Sequence, residues 1–283
     1  DVEGEDRSGF SEAVRAVKKS DVAIVCLGET RFMSGEAASR TRLSLPGVQR
    51  ELLARFEATG TPVVLLLTNG RPLVLDWEQK HISTILECWQ LGSEAGHAIA
   101  DVLFGKYNPS GKLTLSFPHN EGQIPVYYNS KSTGRPYVPD EWYVTRYQDC
   151  PNTPLYPFGY GLSYTRFEYG EPTADKKCIT PDETLRVAVT VTNTGDYDGE
   201  ETVQLYIRDV QSRITRPEME LRRFKKIFLK KGATETVVFE LALPDLEYVL
   251  SDGSRVYDPG EFEVFTGGSS DRVKALRFVL TDR

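Results

Sequence analysis

Residues 21–28 read DVAIVCLG and residues 62–68 read PVVLLLT, and the segment between them carries Val48, Leu52, Leu53 and Phe56 at helical spacing. Two continuous apolar runs joined through an amphipathic helix are the pattern of parallel strands with a covering crossover. Asn69-Gly70-Arg71-Pro72 then breaks the second run. Further on, Ile82–Trp89 (ISTILECW) reads as a third strand. Ser93–Phe104 reads as a helix with Ala95, Ile99, Val102 and Leu103 on one face, and Gly105 ends it. Leu113–Phe117 adds a short strand. Residues 1–20 supply a single helix before the first strand. Such a sheet needs cover on both faces, so the sequence predicts part of an α/β domain whose remainder lies before Asp1.

Beyond Pro118 the pattern gives way to Tyr, Pro, Gly and Asn: IPVYYN, TGRPYVPDEWYVTRY and LYPFGYGLSYTRFEYG. A tract this aromatic is too apolar for a disordered linker and is expected to pack on the domain surfaces or line a groove. After Lys177 the reading is all-β. Leu185–Asn193, Glu201–Asp209, Glu220–Leu229, Thr234–Leu243 and Glu261–Thr266 alternate apolar and polar residues, separated by turns at 193–195, 231–232 and 258–260. Short regular strands of this kind predict a β-sandwich of immunoglobulin or fibronectin type. No Cys…Trp…Cys core is present, which favours the fibronectin-like form.

The 283 residues, 40% apolar and 27% charged with a net charge of −7, describe about two ordinary globular domains. The basic residues are dispersed, which argues against a nucleic-acid partner. Their one concentration, Arg222-Arg223 with Lys225-Lys226 and Lys230-Lys231, alternates with apolar residues and reads as the wet face of strands. No run reaches the ~20 apolar residues of a membrane span. The chain opens on Asp1 rather than Met and shows no signal peptide, so its start reads as a cut or processed end. Cys26, Cys88, Cys150 and Cys178 lack the close pairs of a metal site. Cys26 and Cys88 are expected to be buried packing thiols. His81, His97 and His119 lack paired spacing as well, so neither metal nor cofactor is expected.

The segment most able to carry chemistry is Met33-Ser34-Gly35-Glu36-Ala37-Ala38-Ser39-Arg40-Thr41, a small-residue loop after the first strand with Arg40 and Arg42 behind its one carboxyl. A surface Glu without function is the plain alternative. Glu29 competes with Glu36, because α/β ligands gather at the carboxyl ends of strands. Glu87, inside a strand, is expected to have a structural partner. Trp142, Tyr143, Tyr147, Tyr156, Tyr160 and Tyr164 could stack on sugar rings, but packing suits most of them better.

SDVAIVCLGE, SGEAASRTRLSLPGVQRELL, PVVLLLTNGRPL, GKYNPSGKLTLSFP with GQIPVYYN, and LYPFGYGLSYTRFEY together resemble family 3 glycoside hydrolases, in particular periplasmic bacterial β-glucosidases. VTNTGDYDGEETVQLYIRD and RPEMELRRFKKIFLKKG resemble the fibronectin-like domain that closes those enzymes. The resemblance divides the chain into the C-terminal half of an α/β sandwich domain (1–118), an aromatic connection (119–172) and a fibronectin type III-like domain (173–283). It implies a parent enzyme whose N-terminal (β/α)8 barrel, absent here, holds an Asp nucleophile and most of the sugar site. Glu36 would then be the general acid/base. Ser34, Gly35, Glu36 and Arg40 match the family's Ser-Gly-Glu-Gly-x-Asp-Arg motif, whereas Ala37 and Ser39 depart from it; a Gly-Glu-Ala-Ser-Ser-Arg version fits better.

The resemblance further implies a β-linked oligosaccharide or glycoside as substrate and a periplasmic or secreted location; a homo-oligomer is compatible with it. Without the barrel, Glu36 is expected to be a solvated carboxyl of ordinary pKa on a mobile loop, and the chain alone is expected to be inactive. The competing hypothesis is a non-catalytic carbohydrate- or protein-binding module. The sequence upstream of Asp1 would discriminate between the two.

Overall fold

The computed structural model describes residues 2–282 and divides the chain into two compact units. The first comprises residues up to 100 together with 116–126 and 149–156; the second comprises 101–115, 127–148 and 157 onward.

The first unit begins with α1 (Phe10–Val17), β1 (Ala23–Gly28), α2 (Gln49–Glu57), β2 (Val63–Thr68), α3 (Asp76–His81) and β3 (Thr84–Glu87). The three strands form a parallel sheet in the order β1-β2-β3, with Gly28 opposite Thr68 and Leu67 opposite Glu87. Leu65 and Leu67 of the central strand are fully buried with Leu53 of α2 and with Leu73 and Leu75 beyond the strand. Arg50 of α2 grips Glu78 of α3 through two contacts of 2.7 and 3.0 Å and also reaches the Val74 carbonyl. The Glu78 side chain is completely buried.

Burial alternates along β1: Ala23 and Val25 are buried, while Ile24 is 50% exposed and Cys26 is exposed. The expectation that Cys26 is a buried thiol is therefore corrected. α2 packs against β1, and one face of that strand stays uncovered among the described residues. Cys88 is buried as expected. The predicted strand at 113–117 reduces to one antiparallel bridge, Phe117 with Tyr156. Phe117 is held by its ring instead, between Trp89 at 5.7 Å and Tyr156 at 5.9 Å.

α4 (Ala95–Leu103) follows, close to its predicted span and with no buried residue. The remaining elements are β4 (Phe167–Tyr169), β5 (Thr173–Ala174), β6 (Cys178–Ile179), β7 (Leu185–Asn193), β8 (Gly199–Asp209), β9 (Glu220–Leu229), β10 (Thr234–Leu241), α5 (Leu243–Leu246), β11 (Tyr248–Val249), β12 (Arg255–Val256), β13 (Gly260–Ser269) and β14 (Arg272–Leu280). One sheet runs β10-β7-β4, with β5 also on β7; the other runs β6-β14-β13-β8-β9. Their inward residues, among them Val189, Leu205, Ile207, Val237, Phe262 and Phe278, form one continuous core. This is the predicted sandwich with β14 and the short strands β4, β5 and β6 added. β13 continues through Gly267 beyond the predicted end at Thr266, and Gly267 allows β14 to approach there, since Arg272 O lies 1.9 Å from where a Cβ would stand. In the aromatic tract of this unit, Tyr128 stacks on Phe158 at 4.1 Å, and Tyr206 packs edge-on at 5.9 Å.

Candidate active site

β1 and β2 end in register, and the chain leaves both strands on the same edge of the sheet. At Gly28 a Cβ would stand 1.9 Å from Thr68 O, so only glycine lets the two strand ends approach this closely. Gln49 completes the strand end: its side chain accepts from Gly28 N at 2.8 Å and donates to Gly28 O at 2.9 Å. From this edge emerge the segment 29–44, which carries Glu36, and the turn Asn69–Pro72.

Glu29 and Glu36, rivals by sequence, have opposite surroundings. The Glu29 side chain is completely buried and its carboxylate is engaged on both oxygens. Arg40 Nη1 lies 2.5 Å from Oε1, Arg71 Nε lies 3.2 Å from the same oxygen, and Gly70 N donates to Oε2 at 3.2 Å. A carboxylate held in this way is a structural anchor, because disturbing it leaves buried charge uncompensated. Glu36 is exposed at the tip of the loop, and among the described residues nothing bonds to its carboxylate.

The loop behind Glu36 is tied to its surroundings at several points. Met33 is buried, and Ser34 Oγ donates to Gly70 O at 3.2 Å. Arg71 Nη2 donates to Met33 O and, at 2.7 Å, to Ala38 O. Farther along, Leu43 N donates to Glu121 Oε1 at 2.9 Å and Leu43 O accepts from Val74 N at 2.8 Å. The Leu43 amide is the main reason the Glu121 carboxyl is held below its usual pKa. At the tip, Gly35 has φ 119° and Ala37 has φ 57°. Ala37 thus occupies the left-handed region at the position where the motif's other version has Gly.

Glu87 has the partners expected of it. Trp89 N donates to Oε1 at 2.9 Å and Asn69 Nδ2 to Oε2 at 3.3 Å. Burial raises its pKa to about 7 against the opposing pull of these two donors. Trp89 itself has φ 49°. The histidines sit in local pairs: His81 stacks on Trp77, His97 meets Glu94 at 2.7 Å and His119 meets Asp76 at 3.0 Å. Among the described residues no cluster of three His, Cys, Asp or Glu is arranged to hold a metal, and no helix is long and apolar enough to cross a membrane.

The candidate stacking aromatics scatter. Trp142 and Tyr143 are exposed as an edge-on pair, Tyr156 packs on Phe117, and Tyr160 faces Arg272. In the second unit, Tyr164 lies with Tyr107, Tyr197 and Phe228 along a groove of about 730 Å³. Arg71, which the sequence reading took only as part of a turn, is the residue it missed. Its signal was a cation in the turn three residues after one buried strand, facing an acid that directly follows the neighbouring strand.

Residues 3–164 match the glycosyl hydrolase family 3 C-terminal domain, and residues 201–270 match the fibronectin type III-like domain. The chain belongs to glycoside hydrolase family 3 and corresponds to its C-terminal part. It is 47% identical over 273 residues to the periplasmic beta-glucosidase of Salmonella typhimurium, covering 96% of this chain and 36% of that protein. It is 42% identical to a beta-xylosidase of Formosa agariphila, covering 95% and 37% respectively. The crystal structure of a beta-glucosidase from Listeria innocua in complex with glucose superposes with a TM-score of 0.94 at 40% identity, over 99% of this chain and 39% of that one. The chain thus spans little more than a third of the length of these relatives.

Proposed function

We propose that this chain is the C-terminal portion of a retaining exo-β-glycosidase of β-glucosidase type and that Glu36 is its general acid/base. The observation that carries the reading is the contrast between the two loop carboxyls. Glu29 is buried and fully engaged, whereas Glu36 is exposed and unpartnered on an anchored loop. The relatives named for β-glucosidase and β-xylosidase activity support the same substrate class. A retaining mechanism needs a second carboxyl about 5–5.5 Å away as nucleophile. We assign it to an N-terminal barrel in the full-length protein.

In the first step Glu36 gives its proton to the glycosidic oxygen as the nucleophile attacks the anomeric carbon, and the aglycone leaves. In the second step the Glu36 carboxylate removes a proton from water, whose oxygen displaces the nucleophile and releases the sugar with retained configuration. To donate, Glu36 must be protonated when the substrate is bound, which closure against the barrel and its nucleophilic carboxylate would favour. The full-length protein works in the periplasm, as the name of the Salmonella relative suggests. The chain on its own is inactive.

The test is Glu36→Ala in the full-length enzyme. General acid catalysis contributes about 10²–10⁴-fold, so kcat/KM for phenyl β-glucoside should fall by that order. For 2,4-dinitrophenyl β-glucoside, whose leaving group needs no proton, kcat/KM should be nearly unchanged. Azide should raise kcat and yield the β-glycosyl azide. Equal losses for both substrates with no azide effect would overturn the assignment, and turnover by the isolated chain would overturn the placement of the nucleophile.

A further inference from the structure

We propose that Arg71 is the positioning residue of the acid/base loop: its guanidinium closes residues 33–38 into a fixed ring that sets where the Glu36 carboxyl stands. This inference rests on the acid/base role proposed for Glu36.

The geometry is specific. One guanidinium nitrogen, Nη2, donates to the carbonyls of both Met33 and Ala38, the two ends of the segment Ser34–Ala37. Ser34 Oγ adds a third tie to the same turn through Gly70 O, and Gly70 permits it, since a Cβ there would stand 2.2 Å from Ser34 Oγ. Arg71 is in turn held by Glu29, which also binds Arg40 and the Gly70 amide. The clamp and its foundation thus come from the turn after β2 and the residue after β1.

Two details separate this arrangement from an ordinary ion pair. A guanidinium that served Glu29 alone would align its fork with the carboxylate. Here Arg71 Nε lies 3.2 Å from Glu29 Oε1 yet makes no hydrogen bond, although it is buried. The loop carbonyls, rather than the carboxylate, set the orientation of the guanidinium. The clamped tip also holds Gly35 at φ 119° and the non-glycine Ala37 at φ 57°. A residue in that region persists when its surroundings over-determine the backbone. Lysine offers a point charge without the planar fork, so it could pair with Glu29 but not reproduce the double carbonyl grip.

The test compares Arg71→Lys and Arg71→Gln with wild type in the full-length enzyme, each checked for a native melt. A misplaced catalytic group typically costs about 10²-fold. Arg71→Lys should therefore lower kcat/KM for phenyl β-glucoside by about that factor. It should leave 2,4-dinitrophenyl β-glucoside within about threefold, because formation of that glycosyl-enzyme needs no acid. Adding Glu36→Ala to Arg71→Lys should produce no further loss beyond Glu36→Ala alone, since the clamp then has nothing to position. Equal losses for both leaving groups in a folded variant, or additive losses in the double variant, would overturn the proposal. Arg71→Gln carries the same comparison should Arg71→Lys fail to fold. If Glu36→Ala itself shows no dependence on the leaving group, the function proposed above fails first; if it does and the Arg71 variants do not, the positioning role alone fails.

Discussion

Glu87 makes the stability of the α/β unit depend on pH in an unusual direction. Its pKa is raised from the ordinary 4.5 to about 7 because burial disfavours the charged form more than Trp89 N and Asn69 favour it. The folded-state value lies above the unfolded one, so between about pH 4.5 and 7 the folded chain keeps a proton that the unfolded chain has released. The group's contribution is thus intact below that window, declines as pH rises through it and levels off above it. Each tenfold change in proton affinity is worth about 1.4 kcal/mol, which sets a ceiling of about 3 kcal/mol; residual solvent contact lowers the expected figure to about 2 kcal/mol. Glu87→Gln removes the titration while keeping the shape. The two proteins should be nearly equal in stability near pH 4, below the window, and the variant should be more stable by about 2 kcal/mol near pH 8. Urea unfolding followed by tryptophan fluorescence, with hydrogen exchange at the β2 amides, measures the difference. Taking variant minus wild type cancels carboxyls such as Glu51 and Asp76, which titrate lower. A stability difference independent of pH would refute the reasoning.

The buried pair Arg50–Glu78 should respond asymmetrically. Arg50→Leu strands a fully buried carboxylate and should cost about 3–5 kcal/mol, whereas Glu78→Gln frees an arginine that is 37% exposed and should cost less; urea titration of both variants decides it. Leu205→Ala, at a fully buried position of the sandwich, should lower the stability of that unit by about 2–5 kcal/mol in calorimetry. Near pH 8, iodoacetamide should label exposed Cys26 and Cys178 well before Cys88, whose thiol is buried and pushed up to about 11; peptide mapping over time reads the order.

The elements that were legible in the sequence have a regular period. β7 matches its predicted limits because apolar and polar residues alternate over 185–193; β9 matches 220–229 although Arg222-Arg223 and Lys225-Lys226 interrupt its alternation. β14 was not legible, since RVKALRFVL leaves most of its side chains partly or fully in solvent and buries only Phe278 and Leu280. The apolar run of β1 suggested two covered faces, yet Ile24 and Cys26 face outward, because hydrophobicity alone does not say what will pack against a strand. Glu36 could be found from its local motif. Its support could not, because Arg71 lies 38 residues from Met33 and 33 from Ala38, and only the parallel register brings them together. Glu29 and Glu36 looked alike as acids near a strand end; burial separates an anchor from a candidate proton donor.

The close approach of Gly28 to Thr68 bears on how such a site can diversify. With 1.9 Å between a would-be Cβ and the Thr68 carbonyl, the spacing of the two loop origins is set by backbone and carries no information about loop content. Changes at the exposed tip residue Ser39 then leave the frame untouched, whereas any side chain at position 28 would push both loops apart together. Related chains should accordingly vary at residue 39, hold position 37 to residues that tolerate a left-handed backbone and keep glycine at 28, and whole-loop exchange between relatives should succeed wherever that glycine and the Glu29–Arg71 pair are carried across.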